Sequence, residues 1–489
     1  MAVMMWLYRA AAAFSSGRAF CAAEKPSGTA ARWWAMADEA RLTTGSISGH
    51  LVKQTAPIIL GVAAIMSVGI IDAYFVGQLG EEPLAAISFI FPVTTALSSL
   101  GVGIIAGVSS VVSRALGEGD TDKAKRRGNL GVVLGLAVGL VVAGLLYLLR
   151  GPLFELMQAN EATLPLIDSY MVIYALGFPL LVTMMGMNGV LRGQGAAKRA
   201  TAILLSFSVA NWILDPLLIN GGFGIEGMGI AGAAWATVIG WGIGLAVAFG
   251  CMQSSQIPVE PSRLNSCKLG TASWSLARVA GPAAFSNSIN PIGLSVLTAF
   301  LAAEGQDAVA GYGAGGRLQT FAVVPLLALS SSIGAIVGQN WGAGQEDRAR
   351  AALVQAGLFC IGYGLLAGLA LFMFRDFFAG MFSESEAVRE QTARYLELAV
   401  WGYAGYGVLI VVNGALNAID RATTALLLSG GRVLLVMVPF AALLQPTMGA
   451  DAIYLAELAC NIAGALAACA ILYFLFKMRP SNVSQAAAT

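Results

Sequence analysis

Apolar residues in this chain fall in long unbroken blocks, not in the one-sided stripe of a soluble helix or the alternation of a strand. A transmembrane helix takes about 20 mostly apolar residues. Twelve blocks meet that length: 54–79, 84–113, 129–149, 163–190, 197–219, 228–252, 273–302, 309–338, 351–373, 392–416, 422–445 and 450–476. None has the dyad period of a membrane barrel. The pattern therefore predicts an all-α membrane protein with twelve transmembrane helices, here spans 1–12.

Composition narrows the function. The chain is 57% hydrophobic and 11% charged, against about 25% charge in soluble domains, which excludes a soluble multidomain enzyme. A net charge of +1 offers no field for nucleic acid. One histidine, His50, and six cysteines without metal spacing leave no nucleophilic or metal centre. Neither an enzyme nor an organic cofactor is expected.

The loops alternate in charge. After span 2 come Arg114, Lys123, Lys125, Arg126 and Arg127; after span 4, Arg192, Lys198 and Arg199; after span 6, Arg263, Lys268 and Arg278. Loops after odd spans carry Glu81, Glu82, Glu155, Glu161, Glu226, Glu304, Asp307 and Asp451, with Arg150 and a mixed loop after span 9 as exceptions. Basic loops are retained in the cytoplasm, so a multi-pass inner (plasma) membrane protein with both termini inside is expected. Residues 1–45 form an N-terminal cytoplasmic extension, disordered or the product of a start set too early, with Met36 opening a polar lead into span 1; their Arg- and Ala-rich composition also permits a targeting peptide.

An offset of 225 residues aligns the two halves. Leu116-Gly117-Glu118-Gly119-Asp120 meets Trp341-Gly342-Ala343-Gly344-Gln345, Tyr170 meets Tyr395, and Asn188-Gly189-Val190-Leu191 meets Asn413-Gly414-Ala415-Leu416. Six spans per repeat make the repeats parallel, the arrangement of carriers that rock two lobes around a central site. The expected organisation is an N-lobe at 46–252, a cytoplasmic linker at 253–272, a C-lobe at 273–478 and a tail at 479–489.

What the halves do not share points to a specialised site. Ionisable groups inside a membrane cost about 2.5–3.5 kcal/mol on insertion scales and mark function by default. Span 1 holds Asp72 and span 5 holds Asn211 and Asp215; the same positions of the second repeat are apolar, Asp72 meeting Leu297 and Asp215 meeting Phe440. Both acids sit six to eight residues from the outer end of their span, about 10 Å deep. Asn211 and Asp215, four residues apart, share a helix face, and Pro216 leaves the Trp212 carbonyl without its usual donor. This group suits a proton or a hard cation such as Na⁺. Asp168 and Glu457 are expected at the interfaces, and Asn188 and Asn413, present in both lobes, fit helix-to-helix bonding as well as function.

Ile71-Asp72-Ala73-Tyr74-Phe75-Val76-Gly77, Asn188-Gly189-Val190-Leu191-Arg192-Gly193, Asn211 through Pro216 and Gly229-Ile230-Ala231-Gly232-Ala233-Ala234-Trp235 together resemble the multidrug and toxic compound extrusion (MATE) transporters, over about residues 40–478. The resemblance implies two six-helix lobes in a V and antiport of organic, often cationic, compounds against H⁺ or Na⁺. It implies cation coupling at Asp72, Asn211 and Asp215, with Asn188 and Thr237 nearby. Tyr74, Met184 and Trp212, on the same spans or beside them, are further candidates for a cation or substrate pocket. Span 7 has no acid here, which departs from branches with a C-lobe cation site. A monomer among membrane lipids, exchanging small organic substrates, is expected. The alternative is a lipid or lipid-linked oligosaccharide flippase of a related twin-lobe fold, suggested by the deep C-lobe bases Arg317 and Arg432.

Overall fold

The computed structural model describes residues 42–222, 224–260 and 269–477. Expectations for the extension up to residue 41, for the linker at 261–268 and for the tail from 478 fall outside the described residues. Ten helices are long and apolar enough to cross a membrane singly, and two bent pairs complete twelve. Spans 1–7 are Ile47–Gly77, Glu81–Gly117, Thr121–Leu156, Leu164–Gly193, Ala197–Ile219, Ile230–Gln253 and Leu269–Leu301. Span 8 joins Gln306–Ala322 to Val324–Gly342, and span 9 is Glu346–Met373. Span 10 joins Glu386–Leu398 to Gly402–Ala418, span 11 covers Ala422–Met448, and span 12 is Ala450–Lys477.

Several helices outrun their apolar blocks because their ends are capped. Glu81 and Glu82 open span 2 and Arg114 lies in its last turn, each sign opposing the helix dipole. Asp120 accepts a hydrogen bond from the Lys123 amide at 2.8 Å to start span 3. Residues 42–45, counted with the extension from sequence, are instead pinned down. Leu42 is fully buried, its amide donates to the Gln339 side chain, and its carbonyl accepts from Asn340.

Three C-lobe features differ from the uniform spans expected. Span 8 bends by 44° at Val323, where Pro325 supplies no amide to the preceding turn. Span 10 bends by 60°, just before Gly402 and Gly405 press against Asn461 of span 12. Span 11 carries a π-turn at Arg432–Met437 ahead of Pro439. A short helix, Arg375–Phe382, precedes span 10; it buries Ala379 and exposes Phe377 and Met381, the disposition of a helix lying in a membrane interface.

The two lobes meet twice, in the same way. A Cβ on Gly107 of span 2 would come within 2.9 Å of the Ala280 Cβ in span 7. The 225-residue offset carries that pair onto Ser332 of span 8 and Thr55 of span 1, whose hydroxyls bond at 2.7 Å. A Cβ on Gly117 would lie 2.1 Å from the Gln339 carbonyl oxygen, and one on Gly342 2.2 Å from that of Arg114; the offset relates these pairs too. Only glycine lets the backbones approach so closely. These contacts lie in the halves of the spans that carry the basic loops. There Asp420, held in the left-handed region at φ 70, bridges Arg114 at 3.2 Å and Arg278, and the Ser110 hydroxyl donates to the Asn417 carbonyl at 2.7 Å. The acidic-side half of span 8 packs on span 10 and has no comparable packing against the N-lobe among the described residues, so a cleft opens on that side.

Gly103→Leu, whose Cβ would sit 2.4 Å from the Ala280 carbonyl oxygen, should destabilise the protein by about 1–3 kcal/mol; thermal unfolding in detergent measures it. Gly144→Leu, with nothing within 4 Å, should shift stability by no more than about 0.5 kcal/mol. Asp420→Ala should loosen the basic-side closure, seen as several-fold faster thiol labelling of a Ser113→Cys probe in a cysteine-free background.

Candidate functional site: a paired-carboxylate cluster in the N-lobe

Spans 1, 4, 5 and 6 converge near the acidic side of the N-lobe. Asn211 and Asp215 are fully buried on the inward face of span 5, where their four-residue spacing stacks them. The Asn211 amide nitrogen donates to Asp215 Oδ1 at 3.1 Å and lies 3.4 Å from the Thr237 hydroxyl of span 6. Asp72, reaching across from span 1, sets its carboxyl against both the Asp215 carboxyl and the Asn211 amide. The structure thus brings together four of the residues singled out in the sequence: Asp72, Asn211, Asp215 and Thr237.

The cluster is rich in acceptors and poor in donors. Asp72 Oδ1, Asn211 Oδ1 and Asp215 Oδ2 are buried with no hydrogen-bond partner. Buried oxygens are ordinarily satisfied, and two carboxylates in contact away from water repel unless a positive charge lies between them. A shared proton would supply one donor. A small hard cation would draw on the same oxygens. Thr237 and Asn211 fit either.

Tyr170 of span 4 was not singled out as a site residue. Its ring is buried, its hydroxyl contacts Thr237, and it lies close enough to both aspartates to feel their charge. The duplication held the clue: its counterpart Tyr395 also faces a buried acid, donating to Glu457 at 3.3 Å. Glu457 is therefore not the interfacial residue expected. It is 3% exposed and also takes a 2.5 Å hydrogen bond from Gln319, which satisfies it inside the C-lobe. Asp168 does lie at an exposed end, paired with Arg150 at 2.5 Å; the exceptional arginine of the loop after span 3 thereby finds its partner.

Other expected pocket residues go elsewhere. Asn188 sits at the far end of span 4, where its amide donates to the Ala200 carbonyl at 2.8 Å and its oxygen accepts from Arg192 at 2.7 Å. One turn of helix places Arg192 over Asn188, and that local pairing together with the bond to span 5 consumes the side chain. Met184 is fully buried against Gly244 between spans 4 and 6. Tyr74, two residues beyond Asp72, is turned away and 63% exposed. Trp212 packs on the N-lobe core with its buried indole nitrogen unpartnered. On the C-lobe side, Leu297 is fully buried in an apolar cluster that includes Leu301 and Tyr312, and Phe440 packs on it.

The MatE family model matches residues 57–217 and 282–443, once in each lobe. The FAD transporter of Shewanella oneidensis is 36% identical over 83% of this chain and 90% of its own length. The multidrug export protein MepA of Staphylococcus aureus is 27% identical over 86% of this chain and 92% of its own. A mutant of the Vibrio cholerae MATE transporter VcmN, a crystal structure, superposes with a TM-score of 0.84 at 28% identity, covering 90% of this chain and 99% of that one. With two matched repeats, twelve spans and relatives aligned across both lobes, the chain belongs to the MATE family of transporters.

Proposed function

We propose that the protein is a secondary antiporter of the inner membrane, exporting organic solutes in exchange for H⁺ or Na⁺, with both termini in the cytoplasm. The contact between Asp72 and Asp215, with three buried oxygens left unpartnered, carries the coupling reading. A cation arriving through the open cleft neutralises the pair and draws spans 1 and 5 together. Span 1 is the lever. Its outer end holds Asp72, while nearer its inner end Thr55 bonds Ser332 of the opposite lobe. A change at the cation site therefore acts on the junction about which the lobes rock. Antiport requires the cation to favour one state over the other, since equal affinity shifts nothing. The membrane potential contributes about 2.3 kcal/mol per charge per 100 mV.

Two kinds of substrate are supported. The relatives named for multidrug resistance and export favour drugs as solutes, whereas the relative named for FAD, at higher identity, favours a flavin dinucleotide. Of the two bases that suggested a flippase, Arg432 is engaged within its lobe, bonding Asn461 at 2.5 Å and Asn290 at 2.6 Å.

Transport of a cationic dye and of FAD in vesicles, with ΔpH and ΔpNa imposed separately, tests the proposal. Asp72→Asn and Asp215→Asn should each lower gradient-driven transport at least tenfold; gradient-dependent transport retained in both would remove the coupling assignment. Tyr170→Phe, which deletes one hydroxyl beside the cluster, should lower the coupled rate about three- to tenfold, in the range of a single lost hydrogen bond, with unchanged thermal stability.

A further inference from the structure

Arg317 is the loose end of the C-lobe. It lies eleven residues into span 8 from Gln306, about 16 Å from the outer end at 1.5 Å per residue, near the middle of a bilayer. It is exposed, and it makes no hydrogen bond, ion pair or ring contact among the described residues. A guanidinium at that depth is costly against lipid and belongs where water or a counter-ion reaches it.

Helix periodicity shows which way it faces. In the lower half of span 8, Gln339 donates to the Gly193 carbonyl of the N-lobe, Ser332 bonds Thr55, and Ala328 packs with Ile58 and Ala197. Above the 44° bend at Val323, Phe321, Arg317 and Gly313 are exposed and, four residues apart, share one face of the upper half-helix. The opposite face of the same half-helix is committed to span 10: a Cβ on Gly311 would meet Gln391 and one on Gly315 would meet Tyr395. Arg317 therefore looks across the cleft towards the N-lobe. Its counterpart under the duplication is Pro92, so the charge, like the aspartate pair, belongs to one lobe alone.

We propose that Arg317 binds an anionic phosphate group of the transported solute and so sets which solutes the cleft accepts. Guanidinium groups pair with phosphate oxygens through two parallel N–H donors, and all five donors of Arg317 are free for that use. Phe321, one turn below and 53% exposed, gives an adjoining apolar plate suited to a flat ring. The proposal rests on the cleft being the solute path of the exporter described above, and it selects phosphate-bearing solutes over purely cationic ones.

The test is equilibrium binding to the full chain in zwitterionic nanodiscs, read by flavin fluorescence. The probes are FAD, FMN and riboflavin, which share a ring and differ in phosphate. The wild type should bind FAD and FMN at least tenfold more tightly than riboflavin. R317Q should bring the three affinities within about twofold of one another, and R317K, which keeps the charge without the bidentate fork, should restore part of the preference. No preference for the phosphorylated flavins in the wild type, a complete lack of flavin binding included, overturns the proposal, as does a preference that survives in R317Q. Repeating the titration with phosphatidylglycerol in the disc separates the two sources of phosphate. Unchanged FAD affinity assigns Arg317 to a soluble solute; competition by the lipid assigns it to a headgroup and overturns its role towards the solute. No gradient is applied, so the outcome stands apart from whether Asp72 and Asp215 couple transport.

Discussion

The architecture depends on how closely two backbones can pass at the lobe junction. Gly103, Gly107, Gly117 and Gly342 are sites where even a methyl group would collide with backbone or Cβ atoms of the other lobe. In a bilayer no hydrophobic effect pulls one apolar helix onto another, so close van der Waals fit and a few polar bonds must hold them. The Thr55–Ser332 and Ser110–Asn417 bonds are of that kind. With the junction confined to the basic-side halves, the other halves of spans 2 and 8 are free to stand apart, and the cleft between them exists only because of that.

The N-lobe site shows the opposite economy. Its polar atoms are not satisfied by one another, whereas Glu457 in the C-lobe receives Gln319 and Tyr395 and is complete. The aspartate pair lies beside Tyr170, and Glu457 beside its counterpart Tyr395. One lobe keeps an unsatisfied cluster that can respond to a cation; the other spends its acid on internal bonding. The difference lies in the number of donors per oxygen.

Much of this was legible in the sequence, for identifiable reasons. Span number followed from apolar length, since the bilayer sets it. The 225-residue offset gave the twofold organisation, and its pairing of Asp72 with Leu297 gave the asymmetry. The i, i+4 spacing placed Asn211 and Asp215 on one face, although no spacing within a helix could say that span 1 would bring Asp72 against them. The bends of spans 8 and 10 were hidden because apolar content is blind to a missing amide donor or to a glycine pressed against a neighbour; Pro325 and Gly402 were visible, their consequence was not. Glu457 was misplaced because proximity to a span end along the chain looks the same for a residue facing the lobe interior and one facing water. Asn188 was drawn into the pocket by resemblance, and its partners are Arg192 at the far end of span 4 and Ala200 at the start of span 5.

The paired contacts have a mechanical corollary. Because Gly107–Ala280 and Thr55–Ser332 are the same joint made twice about one axis, neither lobe can swing on its half of the hinge without turning the other through a matching angle. On the coupling proposed above, a single fuelled lobe suffices for both, and the hydrocarbon-filled twin is its geared counterweight.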